Sequence, residues 1–193
     1  MTTPLNGSIT LGQAPGTVDE IVRIADGAPI ALEKAALDNM ARVSSRIQRA
    51  IEQGQVIYGL TTGVGDLVTT RLSPDRMTDT QLNMLRSHAC GVGPDLTVRE
   101  VRAMMAVTLK SLLQGYSGVT PALAQRIADM LNRQVTPWSP AGGSVGYLIA
   151  TAHIGLAVFG EGKCWYQGEL LPAQQALTRA GIPPYVPGPR EGH

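Results

Sequence analysis

Three short stretches of this chain hold most of the side chains that could do chemistry. In Tyr58-Gly59-Leu60-Thr61-Thr62-Gly63-Val64-Gly65-Asp66 a phenol and two hydroxyls share a run with three glycines. Glycine is used where the backbone turns through positive φ or passes close to a ligand, so the run is either a binding loop or an ordinary tight connection. No Lys-Ser or Lys-Thr follows it, which excludes a phosphate-cradling loop. Tyr58 is a candidate acid–base group, against the plainer reading of a packed tyrosine with a hydrogen-bonded hydroxyl. In the second stretch, Arg86-Ser87-His88-Ala89, His88 falls at the end of a helical pattern. It either caps the negative end of the helix dipole or contacts a substrate. The third, Gly142-Gly143-Ser144-Val145-Gly146-Tyr147-Leu148, runs into an apolar segment, where Tyr147 is a packing residue or a catalytic one. His153, inside that segment, reads as a core histidine, and His193 as inert.

Other chemistries find no support. Cys90 and Cys164 match no metal-ligand spacing and read as small buried hydrophobes or incidental thiols, so neither a metal site nor a disulfide is expected. No dinucleotide fingerprint or nucleophile triad motif is present. With 193 residues, 44% of them hydrophobic, the chain can bury one sizeable core. Its net charge of +1 offers no electrostatic footprint for nucleic acid or an anionic membrane. No apolar run approaches the roughly 20 residues that span a bilayer. Met1-Thr2-Thr3-Pro4-Leu5-Asn6 lacks the pattern of a signal peptide, so a cytoplasmic location is expected.

The elements that must position these residues are mostly helices. A single Phe leaves the core to Leu, Ile, Val, Ala and Met, which suits packed helices. After a short extended arm over 1–16, Thr17-Val18-Asp19-Glu20 is a capping-box start, and Gly27 and Pro29 end that helix. Apolar residues at three- and four-residue spacing predict a helix from Glu33 to Glu52, stopped by Gly54. Further helices are expected from Thr78 to Ala89, after the second capping box Thr97-Val98-Arg99-Glu100, and after Thr120-Pro121. Cys90 to Pro94 and Trp138 to Gly143 read as loops. Tyr147 to Phe159, apolar almost all round, should be a central buried helix. A hairpin or turn at Trp165 to Glu169 precedes a last helix from Pro172 to Ala180. The proline-rich tail from Pro183 cannot be regular.

At these loops the chain resembles the histidine and aromatic amino-acid ammonia-lyase and aminomutase family. The matching blocks are residues 58–65, 83–93 (Asn83 to Gly93), 114–119 (Gln114 to Val119), 143–146, and Ala152-His153 through Gly160-Glu161-Gly162. The resemblance runs from about residue 8 to the end. It implies the N-terminal part of a helical bundle fold with glycine-rich active-site loops, in a tetramer whose subunits share active sites. It implies Tyr58 as the catalytic tyrosine that takes part in removing the substrate's β proton, with Gly59 and Thr61 in the loop over the site. Ser87 and His88 match the pair that reads the substrate side chain, in histidine lyases and in some tyrosine aminomutases.

The chain departs from the family in two places. After Gly-Ser-Val-Gly the family carries Ala-Ser-Gly-Asp, whose Ala-Ser-Gly cyclises into the methylidene-imidazolone (MIO) electrophile. Here Ser144 and Gly146 flank the site, but Tyr147 follows Gly146 directly and stands where the family has Asp. The family also continues beyond a segment like Pro189-Arg190-Glu191-Gly192-His193 into further site residues. Residues 1–193 are therefore expected to be the N-terminal half of an ammonia-lyase-like domain, completed by a second chain in a tetramer-like hetero-oligomer. The expected function is that of a subunit or fragment of an enzyme acting on histidine or an aromatic amino acid. The alternatives are an MIO-less member repurposed for cyclisation, isomerisation or dehydration, with Tyr58, Tyr147 and His88 as parts, or a non-catalytic partner subunit.

Overall fold

The computed structural model describes residues 7–63, 69, 74–143, 149–188 and 191–192, with the backbone alone for 74–77. Seven helices and seven short strands lie among them, and the mostly-α expectation holds. Strand β1 (Ile9–Leu11) pairs in parallel with β2 (Ile30–Leu32), and helix α1 (Val18–Ala25) makes the crossover. The Thr17 hydroxyl accepts the Glu20 N–H at 3.2 Å and the Glu20 carboxylate accepts the Thr17 N–H at 2.8 Å. This closes the capping box expected from the sequence. Strand β2 was not expected. Asn132 completes its edge by accepting the Ile30 N–H at 2.8 Å and donating to the Ile30 carbonyl at 3.0 Å.

Helix α2 (Lys34–Glu52) ends before Gly54, whose φ of +69° supplies the left-handed turn. Helix α3 (Pro74–His88) begins ahead of the expected Thr78, because Pro74 fits the first turn of a helix, where a missing N–H leaves no bond unmade. Helices α4 (Val98–Leu112) and α5 (Pro121–Asn132) start at their expected caps, Thr97 and Thr120. Arg102 of α4 is only 2% exposed. Its guanidinium donates to the carbonyls of Ile24 (2.8 Å), Ala25 (3.2 Å) and Leu131 (3.0 Å). One buried cation thus serves the carbonyl ends of α1 and α5, adding a charged donor at the negative ends of both helix dipoles. Burial pulls its pKa below the usual arginine value.

Two expected loops contain strands. Within 90–94 the chain enters β3 (Val92–Asp95), and the 138–143 region holds β5 (Pro140–Gly142), which pairs antiparallel with β3 through an irregular register. Both strands carry Pro and Gly and neither alternates in hydrophobicity, so their sequences resemble loops. Strand β4 (Thr136–Pro137) joins β6 (Lys163–Tyr166), which forms a hairpin with β7 (Glu169–Pro172). Gln167 and Gly168, at φ +52° and +82°, give that hairpin the two-residue turn its strand twist favours. Helix α6 (Ile149–Val158) has no exposed residue, as its all-round apolar sequence predicts. Helix α7 (Ala173–Arg179) closes the regular structure, and residues 183–188 are irregular. No helix among the described residues is long and apolar enough to cross a membrane.

Candidate active site

The Tyr58 turn is built by the residues after it. Leu60 is fully buried and anchors the turn in the core. The Thr61 hydroxyl accepts the Ile57 N–H at 2.8 Å and donates to the Gln55 carbonyl at 2.9 Å. The Thr62 hydroxyl accepts the Gly59 N–H at 3.3 Å. Gly59 takes φ +66°, a conformation that side chains resist. The pattern turns the chain sharply and leaves Tyr58 59% exposed. Both threonines thus hold the loop's shape, and the Thr61 hydroxyl, expected at a substrate, is engaged in the turn itself.

Ser87 and His88 share the last turn of α3. The Ser87 hydroxyl donates to the Met84 carbonyl at 2.8 Å and lies 3.0 Å from His88 Nδ1. That nitrogen is 2.8 Å from the same carbonyl. A carbonyl only accepts, so Nδ1 carries a proton, and a neutral His88 has its lone pair on Nε2. His88 therefore closes the helix end, as the capping reading expects.

This helix end and the turn after it are attached at three points to α6 and the turn that follows α6. Leu85 sits in the notch of Gly155, where an added Cβ would lie 2.8 Å from Leu85 Cδ2. The Arg86 guanidinium grips the Glu161 carboxylate through two bonds, at 2.9 and 2.5 Å. Hydrogen bonding from Arg86 holds the Glu161 carboxyl below the usual carboxylate range. Beyond α3, the Gly91 N–H donates to Nε2 of His153 at 3.2 Å. His153 also meets Trp138 edge-on, at 5.6 Å between ring centroids, so its core-histidine reading holds. Burial lowers its pKa and favours the neutral ring that this bond requires. None of these couplings was expected. The signal for one lay in Gly160-Glu161-Gly162, which matches the family without any role having been assigned to Glu161.

Strand β3 then carries the chain from Gly91 into its pairing with β5, whose last residues are Ala141 and Gly142. The ladder therefore joins the Ser87–His88 end to the entrance of the third stretch. Ser144, Gly146 and Tyr147 lie outside the described residues. Just before them, a Cβ on Gly143, at φ +118°, would fall 3.0 Å from Ile149 Cδ1. A separate apolar cavity of about 230 Å³, edged by Thr108, Thr151 and Glu191, lies among α3, α4, α5 and α6. Among the described residues no cluster of His, Cys, Asp and Glu could hold a metal ion, and both cysteines are free thiols.

A mostly helical frame with a tyrosine on a Gly-Thr turn, and a Ser-His helix end laced to a glycine loop, marks an ammonia-lyase-type scaffold. The chain belongs to the aromatic amino acid lyase family, whose model matches residues 17–193. It is 38% identical over 180 residues to histidine ammonia-lyase of Geobacillus thermodenitrificans, covering 91% of this chain and 36% of that protein. It is 44% identical over 147 residues to a probable histidine ammonia-lyase of Thermoplasma acidophilum, covering 75% of this chain and 30% of that protein. Tyrosine aminomutase from Streptomyces globisporus superposes with a TM-score of 0.90 at 30% identity, over 96% of this chain and 35% of that one. The chain thus spans about a third of the length of these relatives.

Proposed function

We propose that this chain supplies the N-terminal part of an ammonia-lyase- or aminomutase-type active site for histidine or an aromatic amino acid. The observation that carries the reading is the β3–β5 ladder, which ties the Ser87–His88 end to Gly142 and the loop beyond it. In this reading Ser87 and His88 contact the substrate side chain, and Tyr58 is the acid–base group at the substrate carbon. An exposed tyrosine on a rigid turn suits that role once the rest of the fold closes over it. Gly59 lets the turn approach the substrate. The relatives' names cover both histidine and tyrosine, and a Ser-His pair fits either ring. A second chain carrying the remainder of the family's length, a tetramer-like assembly and a cytoplasmic location belong to the same reading.

The MIO group does not fit the residues present. The chain contains no Ala-Ser-Gly run, and only Ser-Val-Gly-Tyr-Leu lies between Gly143 and Ile149. No step through that group is assigned to this chain. The missing triad favours a second reading, in which Tyr58 and His88 move protons in a reaction that eliminates no amine.

Peptide mapping across Trp138 to Lys163, with ammonia release measured on L-histidine, L-tyrosine and L-phenylalanine, tests both readings. Ammonia release from one of these, lost in Tyr58→Phe, supports the first. A plain Gly146–Tyr147 bond together with neither ammonia nor a β-amino acid formed from any of the three overturns it and leaves the second.

A further inference from the structure

We infer that His153 is a positioning residue: its Nε2 pins the Gly91 turn and so fixes the helix end that carries Ser87 and His88. The inference rests on the proposed role of that pair, and it adds a residue to which neither the spacing nor the resemblance gives a task.

The geometry at Gly91 leaves little slack. A Cβ there would lie 2.5 Å from Pro140 Cγ, 2.9 Å from Ile149 Cγ2 and 3.1 Å from His153 Nε2. The turn is therefore wedged between β5 and the first two turns of α6. Its N–H points at the one acceptor the structure gives it, 62 positions along the chain. Two residues, Ala89 and Cys90, separate this N–H from His88, and no regular structure intervenes between α3 and β3 to hold them. The bond thus acts at the junction where α3 hands over to the ladder. The opposite side of His153 is fixed as well, by Trp138 at 5.6 Å.

The pin works only while Nε2 has a lone pair. A protonated ring would turn an acceptor into a donor facing a donor. Among the described residues, no carboxylate lines the cavity beside the ring to stabilise that cation. A cavity of about 200 Å³ beside His153 is lined by Ala89, Trp138, Leu156, Gly162 and Lys163, whose only charged group is the Lys163 ammonium. Lys163 is itself stacked over the Trp138 ring at 5.6 Å. On the α3 side the nearby charges, Arg86 and Glu161, are paired with each other. The remaining titratable neighbour is the Cys90 thiol, next to Gly91 and exposed. The junction should therefore loosen as pH falls below the ordinary histidine value.

The test compares wild type, His153→Leu and His153→Gln in the intact purified protein, together with any chain that co-purifies. Gln offers a carbonyl oxygen at a similar reach and does not titrate. The readouts are Gly91 amide exchange corrected for intrinsic rate, the His88 imidazole resonances, and binding of L-histidine and L-tyrosine. Leu should speed Gly91 exchange about tenfold, the effect of one lost hydrogen bond, and shift the His88 resonances, while Gln restores both. Wild-type exchange should rise in acid and that of the Gln variant should stay flat. Unchanged Gly91 exchange in His153→Leu overturns the inference, as does a wild-type pH profile that matches the Gln variant's. Should Leu fail to fold, the wild-type and Gln profiles decide alone. If Gly91 and His88 respond as expected but the wild type binds neither amino acid, the pin stands and the proposed function falls.

Discussion

The Glu191 carboxylate accepts the Thr120 hydroxyl at 2.6 Å, across 71 positions of chain. The same carboxylate accepts the Thr120 N–H at 3.0 Å, the Tyr185 hydroxyl at 2.9 Å and the Gly188 N–H at 2.6 Å. It thereby places a negative charge at the N-terminus of α5, where the helix dipole favours one, and folds the proline-rich tail back onto the bundle. Arg126 joins the clasp, with its guanidinium 5.8 Å from the Tyr185 ring and its Nε donating to the Val158 carbonyl at 2.8 Å.

Glu191→Leu should therefore destabilise the protein by about 3 kcal/mol, since several part-buried donors lose a charged acceptor together. Tyr185→Phe, which removes one donor and keeps the ring, should cost about 1 kcal/mol. Urea unfolding of the two variants checks the ranking. Equal costs would mean that the Tyr185 hydroxyl carries the clasp.

Arg102→Leu should cost about 3 kcal/mol or more, because carbonyls at the ends of two helices lose their only charged donor inside the core. Arg102→Lys should recover part of this, as a single ammonium cannot span the positions reached by a planar fork. Thermal unfolding with all three proteins measures it.

Burial pushes the Cys164 thiol from 9.0 up to about 12, and the Tyr185 phenol from 10.0 up to about 12. Both groups are acids whose folded pKa exceeds the unfolded one. Their contribution to stability is complete below pH 9 and is lost as pH rises through about 12. Melting temperature should fall over that window, and Cys164→Val should flatten the drop. A thiol reagent at neutral pH should label the exposed Cys90 at once and Cys164 only after unfolding.

Tyr58→Phe should lower turnover by about 10²- to 10⁴-fold, the usual worth of a positioned acid–base group. With its ring 59% exposed, the change should leave stability within about 0.5 kcal/mol. Steady-state kinetics beside a melting curve separates the two effects. Normal turnover would remove Tyr58 from the chemistry.

Where local chemistry decides structure, the sequence was legible. Thr17 with Glu20, Thr97 with Glu100, and Thr120 before Pro121 all start helices where their hydrogen-bonding groups predict. Gln167-Gly168 turns the hairpin for the same kind of reason. The strands β2, β3 and β5 were not legible, because each is short, is paired with a distant segment, and in β3 and β5 includes Pro and Gly. Nor were the interior arginines: Arg102 and Arg126 occupy helical positions that a hydrophobicity pattern assigns to solvent. At the candidate site, Ser87 and His88 sit at the helix end where the pattern put them. Their attachment through Gly91 to His153 depends on tertiary contact and leaves no trace in local spacing.

Helix α6 shows no wet face, and that deprives it of the usual compass. An amphipathic helix is rotated into place by its own polarity, but one apolar all round could be turned about its axis with little change in buried area. What breaks the degeneracy is shape and one heteroatom: the Gly155 notch that admits Leu85, and the His153 nitrogen that meets Gly91. The azimuth of the helix that follows the third stretch is thus encoded in a few positions and not in a polar stripe. The apolar residues of the helix can drift among apolar types of similar volume without the helix losing its bearing.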